Sequence, residues 1–275
     1  MELDLTELRK HKLVIATPMY GGNVTSVYNA SIINLFYYSG IYNLNVQSMN
    51  VWNDSLITRA RNTLVRQFLN ESDAEFFLFI DADISFDYND VFQMMQIMIE
   101  SPDKKIVCAA YPKKHINWNS INNAYKLNKI DNPEDAQLYS SEFVLNYKNQ
   151  NKQETVFRLD EPVLVQESGT GFMMIRREVF KKFAEAYPEQ NSFDPVTQSD
   201  LFYYFDCKID KKTNIYLSED YMFCQWASKI GYDTWVLPWV HLAHMGTYQY
   251  EGSFLEHSKF NYEVMQTKTK DVLTE

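Results

Sequence analysis

The run Phe76-Phe77-Leu78-Phe79-Ile80 limits this chain's folding options more than any other stretch. Five consecutive apolar side chains leave no polar face for water, so a strand built from them must be covered on both sides. Leu13 to Ala16 is a similar run, and Lys105 to Ala110 reads as a further buried strand. Helical spacing fills the intervals, with Val24, Val27, Tyr28, Ser31 and Leu35 on one face and Ile57, Ala60, Leu64 and Phe68 on another. Buried strands alternating with such helices predict an α/β fold: a mainly parallel, Rossmann-like sheet flanked by helices. The 275 residues, 45% of them hydrophobic, are enough for one large domain spanning 1–275.

Punctuation refines this outline. The first strand is expected to stop at Thr17-Pro18, with a turn at Gly21-Gly22 and a helix ended by Gly40. Asn43 to Val51 reads as a second strand, Asp54 or Ser55 as the cap of the next helix, and Asp87 as the cap of one reaching about Ile99. From about Lys113 to Thr155 the chain is rich in Asn, Lys, Gln and Tyr, which predicts an irregular, peripheral insertion. Strands are expected at Pro162 to Val165, Gly171 to Ile175 and Thr234 to Leu237. Helices should start near Arg177 and Ser218, the latter ending before Gly231; His241 to Tyr250 reads as a loop and Thr267 to Glu275 as a frayed tail.

A formal net charge of −10 argues against a nucleic-acid partner. The opening Met1 to Thr6 is acidic and no long uncharged apolar run follows, so neither a signal peptide nor a membrane span is expected, and a soluble, cytoplasmic chain is. Cys108, Cys207 and Cys224 lack CxxC spacing and read as free thiols.

Asp81 and Asp83 end the central strand. Residues two apart on extended backbone point the same way, so both carboxylates would share one side if strand geometry persists. In open α/β sheets that edge is where ligands bind. Two adjacent carboxylates repel unless a cation sits near them, which suits Mg²⁺ or Mn²⁺. Asp is also common where strands simply turn.

Phe76 through Asp83 resembles the D-x-D motif of GT-A-fold glycosyltransferases, and Val14 to Tyr20 is similar to the first strand and nucleotide-contacting turn of that superfamily. The likeness is to family-2-like enzymes, including those of bacteria and large DNA viruses, and covers most of the chain outside the insertion. It implies that Asp81, Ala82 and Asp83 face a nucleotide-sugar and its metal, and that Thr17, Pro18 and Tyr20 hold the base and ribose. It favours Arg61 over Arg59 as the nucleotide-facing guanidinium. Ser168-Gly169-Thr170-Gly171 resembles the stretch lining the sugar pocket, where Gly169 and Gly171 would allow close backbone approach. Glu219-Asp220, which also suits a helix N-terminus, looks like the acidic pair of inverting enzymes, with Asp220 as general base and Glu219 as the alternative. His244, ahead of His241, resembles the late His that completes the metal shell.

The implied reaction moves a sugar from a nucleoside diphosphate donor to a glycan or other hydroxyl acceptor, with inversion. Two rival classes remain: a sugar nucleotidyltransferase, which would want a basic loop where Thr17 to Gly22 has none, and a non-catalytic carbohydrate-binding protein of the same fold.

Overall fold

A computed structural model describes residues 2–148, 158–195 and 198–248. It divides into two compact units, Met1–Met245 and Gly246–Glu275; only 246–248 of the second are described, so the expected tail at Thr267 to Glu275 lies outside.

In chain order the elements are helix α1 (Leu5–Leu8), strand β1 (Lys12–Met19), α2 (Ser26–Tyr42), β2 (Asn45–Trp52), α3 (Ile57–Glu71), β3 (Phe76–Ile80), β4 (Ile84–Ser85), α4 (Tyr88–Glu100) and β5 (Ile106–Cys108). There follow α5 (Trp118–Lys126), β6 (Leu145–Tyr147), β7 (Val163–Ser168), β8 (Phe172–Arg176) and α6 (Arg177–Ala186). Two hairpins, β9 (Asn191–Asp194) with β10 (Ser199–Phe202) and β11 (Lys208–Asp210) with β12 (Ile215–Leu217), precede α7 (Glu219–Lys229), β13 (Thr234–Val236) and β14 (Ala243–His244).

Eight of the described strands form the central sheet in the order β2-β1-β3-β8-β5-β13-β7-β6. β2, β1 and β3 run parallel, as do β5 and β13, while β8 runs antiparallel between β3 and β5. β7 opposes both β13 and β6. Six strands therefore share one direction and two oppose it: the expected mainly parallel α/β sheet, made mixed by β7 and β8.

β3 shows why its sequence needed two covered faces. Phe77 and Phe79 enter a core with Leu64 and Phe68 of α3, Phe180 and Phe183 of α6, and Phe223 of α7. Phe76, Leu78 and Ile80 enter the opposite core with Tyr28 and Leu35 of α2 and Phe92 to Met98 of α4. Each such side chain contributes about 1.5–3 kcal/mol through burial.

Several boundaries move for local reasons. β1 continues through Pro18 to Met19, because β3 pairs only with Leu13 to Ala16 and asks no N–H of Pro18. α2 passes through Gly40 and ends at Asn43, whose φ of 55° supplies the left-handed turn expected of a glycine. α3 starts at Ile57 without a side-chain cap; Asp54 instead accepts the Leu56 N–H and binds Arg59 through two 2.8 Å bonds. Asp87 caps α4 as expected, accepting from Asn89 at 2.8 Å. The insertion is not wholly irregular: it contains α5, and its Leu145–Tyr147 forms an edge strand of the main sheet. Among the described residues no helix is long and apolar enough to cross a membrane.

Asn62 ties the first hairpin region to α3. Its Oδ1 accepts from Tyr204 N at 2.9 Å and Phe205 N at 3.0 Å, and its Nδ2 donates to Phe205 O and Thr58 O, each at 2.8 Å. Asn62→Ala is expected to cost about 3 kcal/mol, because these buried groups lose their partner. A urea titration by circular dichroism would measure it.

Candidate active site

The strand geometry of β3 ends at Ile80, and Ala82 and Asp83 form a turn. Backbone bonds pin that turn: Asp81 N donates to Gly171 O at 2.9 Å, Thr25 N to Ala82 O at 2.9 Å and Met245 N to Asp83 O at 2.8 Å. With no strand alternation across the motif, the two carboxylates meet different partners, so the expected shared orientation is replaced by two neighbouring clusters.

Asp81 belongs to the first. α3 delivers Arg61, which is 3% exposed, onto the Phe79 ring with 5.1 Å to the centroid. Its Nη2 donates to Asp81 Oδ2 at 3.1 Å, its Nη1 lies 3.0 Å from Asp81 Oδ1, and its Nε lies 3.5 Å from Glu219 Oε1. Burial pulls the Arg61 pKa down, but Asp81 and Glu219 outweigh it and hold the guanidinium firmly charged. The Asp81 Oδ1 contact is not aligned as a hydrogen bond, so a buried carboxylate oxygen keeps a lone pair to offer.

Asp83 belongs to the second. β14 pairs with β4, aligning His244 with Ile84 immediately after the motif. His244 Nε2 lies 3.2 Å from Asp83 Oδ1, and Lys114 contacts Asp83 Oδ2. Burial pushes the Asp83 pKa up, but His244 and Lys114 overcome it and hold the acid at about 2. His244 Nδ1 lies 2.8 Å from Pro112 O, an acceptor only, so Nδ1 carries a proton. Nε2 then faces a carboxylate oxygen across 3.2 Å, where either a proton or a shared cation joins the two.

Asp220 completes the edge from the first turn of α7. Its Oδ1 accepts from Ser218 Oγ and from Tyr221 N, the latter at 2.8 Å. Burial, then the neighbouring Glu219 charge, raises its pKa to about 6. The acid is thus poised to exchange a proton near neutrality.

Tyr111, which sequence reasoning passed over, stands among these groups. It is 7% exposed, its hydroxyl accepts from Gly171 N at 3.3 Å, and its ring meets His244 edge-on with centroids 5.3 Å apart. Burial, reinforced by the charge of Asp81, holds the phenol well above its ordinary range. Only its place at the carboxyl end of a buried strand, before Pro112, could have drawn attention to it.

Tyr111 also gives the glycines a packing role. Gly169, Thr170 and Gly171 are buried, and the close approach they permit is to the Tyr111 ring. A Cβ on Gly169 would lie 2.1 Å from the Tyr111 hydroxyl oxygen. Gly169→Ala is therefore expected to lose about 1–3 kcal/mol by overpacking, read as a lower urea midpoint. Thr170 Oγ1 is buried without a partner among the described residues.

Of the first-strand residues, Thr17 is fully buried and its Oγ1 lies 2.7 Å from the Tyr28 hydroxyl, so that group is already engaged. Pro18 is half-buried, and Tyr20, at 75% exposed, is the free ring of the trio. His241 is exposed and acts electrostatically on Asp90. Arg59, the alternative to Arg61, is occupied by Asp54.

Among the described residues no three His, Cys, Asp or Glu side chains are grouped as a ready metal site. The donor chemistry of Asp83 and His244 nonetheless fits a divalent cation. A metal-binding imidazole usually donates its other N–H to a carbonyl or carboxylate, as His244 does to Pro112. Asp81 Oδ1 is a buried carboxylate oxygen beside this pair's motif.

No protein-family model matches the chain, and no curated protein matches it. Among solved structures it is similar to A197 from STIV, at 15% identity and a TM-score of 0.48, covering 86% of each chain. It is also similar to GalNAc-T7, in a crystal structure with UDP, GalNAc and Mn²⁺, at 11% identity and a TM-score of 0.46, covering 88% of this chain and 44% of that one. A glycosyltransferase involved in glycosylation of the major capsid of PBCV-1 aligns at 9% identity and a TM-score of 0.39, covering 86% of this chain and 94% of that one.

Proposed function

We propose that this chain is a metal-dependent GT-A glycosyltransferase that moves a sugar from a nucleoside diphosphate donor to a hydroxyl acceptor with inversion. One observation carries the reading. A carboxylate–imidazole pair with the donor chemistry of a divalent-metal site, Asp83 with His244, stands at the same strand edge as a carboxylic acid tuned to about 6, Asp220.

Asp83 and His244 would hold Mn²⁺ or Mg²⁺, with Asp81 Oδ1 as a further donor. When bound, such an ion neutralises charge on a departing diphosphate. Arg61 fixes Asp81 and keeps positive charge buried beside it, while Tyr20 offers an exposed ring to a base. Asp220, ionised above pH 6, takes the acceptor hydroxyl proton as that oxygen attacks the anomeric carbon from the face opposite the diphosphate. The Tyr111 phenol stays neutral and braces Gly171 and the His244 ring.

The deciding experiment incubates the chain with a panel of nucleotide-sugars, with and without Mn²⁺, and follows nucleoside diphosphate release and thermal stability. Ion-dependent release from one donor, with a raised melting temperature, is expected. Absence of both effects across the panel would sink the assignment.

A further inference from the structure

α4 borders an open cavity of about 800 Å³, lined by Asp90, Gln93 and Ile97 on one stripe of the helix and by Pro162, Trp235 and Trp239. None of these residues belongs to the site above. Gln93 is the telling member. It is 91% buried, yet its amide has no hydrogen-bond partner among the described residues. Gln96, one turn further along α4, shows how this fold treats a buried amide that it needs for itself. Its Oε1 accepts from Asp4 N at 2.8 Å, and its Nε2 donates to Glu2 O at 3.2 Å and Glu100 Oε1 at 2.7 Å. The Gln93 amide instead borders the cavity, so its partner is water or a ligand bound there.

Other polar groups border the same cavity. The Asp90 carboxylate and the indole N–H groups of Trp235 and Trp239 also lack hydrogen bonds among the described residues. An open cavity of this size, with two indole rings among many polar groups, suits a polar small molecule that has one apolar face. The charge bias selects the ligand. Asp90, Glu100, Asp160 and Glu161 line the cavity against one Lys104, which disfavours phosphates and other anions. Lys104 Nζ already sits over one Trp235 face, 4.6 Å from the ring centroid, which leaves Trp239, 37% exposed, as the open platform. A flat ring, two N–H donors, an amide that both gives and accepts, and a carboxylate match a pyranose, whose C–H face is apolar and whose hydroxyls both donate and accept.

We propose that this cavity binds a neutral saccharide of two or three rings, stacked on Trp239 and hydrogen-bonded by Gln93 and Asp90. Such binding is independent of any transfer reaction at the Asp83 edge. The test titrates the full chain with lactose, cellobiose, maltose and α-1,2-mannobiose, following tryptophan fluorescence and saturation-transfer NMR, with spermidine as a cationic comparator. At least one disaccharide is expected to bind in the millimolar range. Its Kd should rise at least tenfold in Trp239→Ala and in the near-isosteric Gln93→Leu, stay within threefold in Trp239→Phe, and be unaltered in Asp83→Ala. Binding by none of the four sugars, equal binding in Gln93→Leu, or binding of spermidine alone would overturn the proposal.

Discussion

Asp83→Ala is expected to lower sugar transfer about 1,000-fold while leaving the fold in place. A bound divalent ion supplies several kcal/mol of charge stabilisation, and each 1.36 kcal/mol is a factor of ten in rate. The substitution removes the carboxylate facing His244 but keeps the backbone oxygen that accepts from Met245. Its partner Lys114 is 41% exposed, so the lost ion pair should cost only about 1 kcal/mol. The specific readout is the melting temperature: Mn²⁺ with a nucleoside diphosphate should raise it in the parent chain and not in the variant. Mn²⁺-dependent turnover at the parent rate in Asp83→Ala would remove the foundation of the metal assignment.

Asp220→Asn is expected to separate activity from stability. Loss of the base should slow turnover about 10²–10⁴-fold. In the parent chain, turnover should rise about tenfold per pH unit below 6 and level off above it, since the base works only when ionised. Stability should move the other way. The folded pKa of about 6 lies above the ordinary 3.8, so the contribution is fully present below 3.8 and is lost as pH rises through 6. At neutral pH the ionised side chain then costs roughly 3 kcal/mol, from the 1.36 kcal/mol that each pKa unit represents. Asparagine keeps an oxygen for Ser218 and Tyr221 without the charge, so its melting temperature should exceed the parent's by about 5 °C at pH 8. The two should converge near pH 4. A pH-independent difference would show that Asp220 is not held against its ionised form.

The sequence made the sheet legible wherever burial on both faces left an uninterrupted apolar run, as at Leu13 to Ala16 and Phe76 to Ile80. Helix spacing and the Asp87 cap were equally readable. Strand direction was not: Phe172–Arg176 has the same composition whether parallel or antiparallel, and only pairing with Phe76–Ile80 reveals that it opposes its neighbours. The hairpins between Asn191 and Leu217 escaped because their exposed strands carry no clear alternation. At the site, Asp81, Asp83, Arg61, Glu219, Asp220 and His244 stood out as charged or titratable residues at element ends. Their division into two clusters did not, since it depends on where β3 stops and on which cation each carboxylate meets. Tyr111 carries no charge signature, and the glycines that make room for it looked like ligand-facing glycines.

The pairing of β14 with β4 has a mechanical consequence. Asp83 follows the central strand and His244 comes from the C-terminal end of the body, the two joined by a two-residue ladder and the Met245 bond to Asp83 O. An ion gripped by both side chains would act as a clasp across that long loop, so its removal by a chelator should free the C-terminal end of the body first. Limited proteolysis would then cut near residue 240 sooner than anywhere in the central sheet.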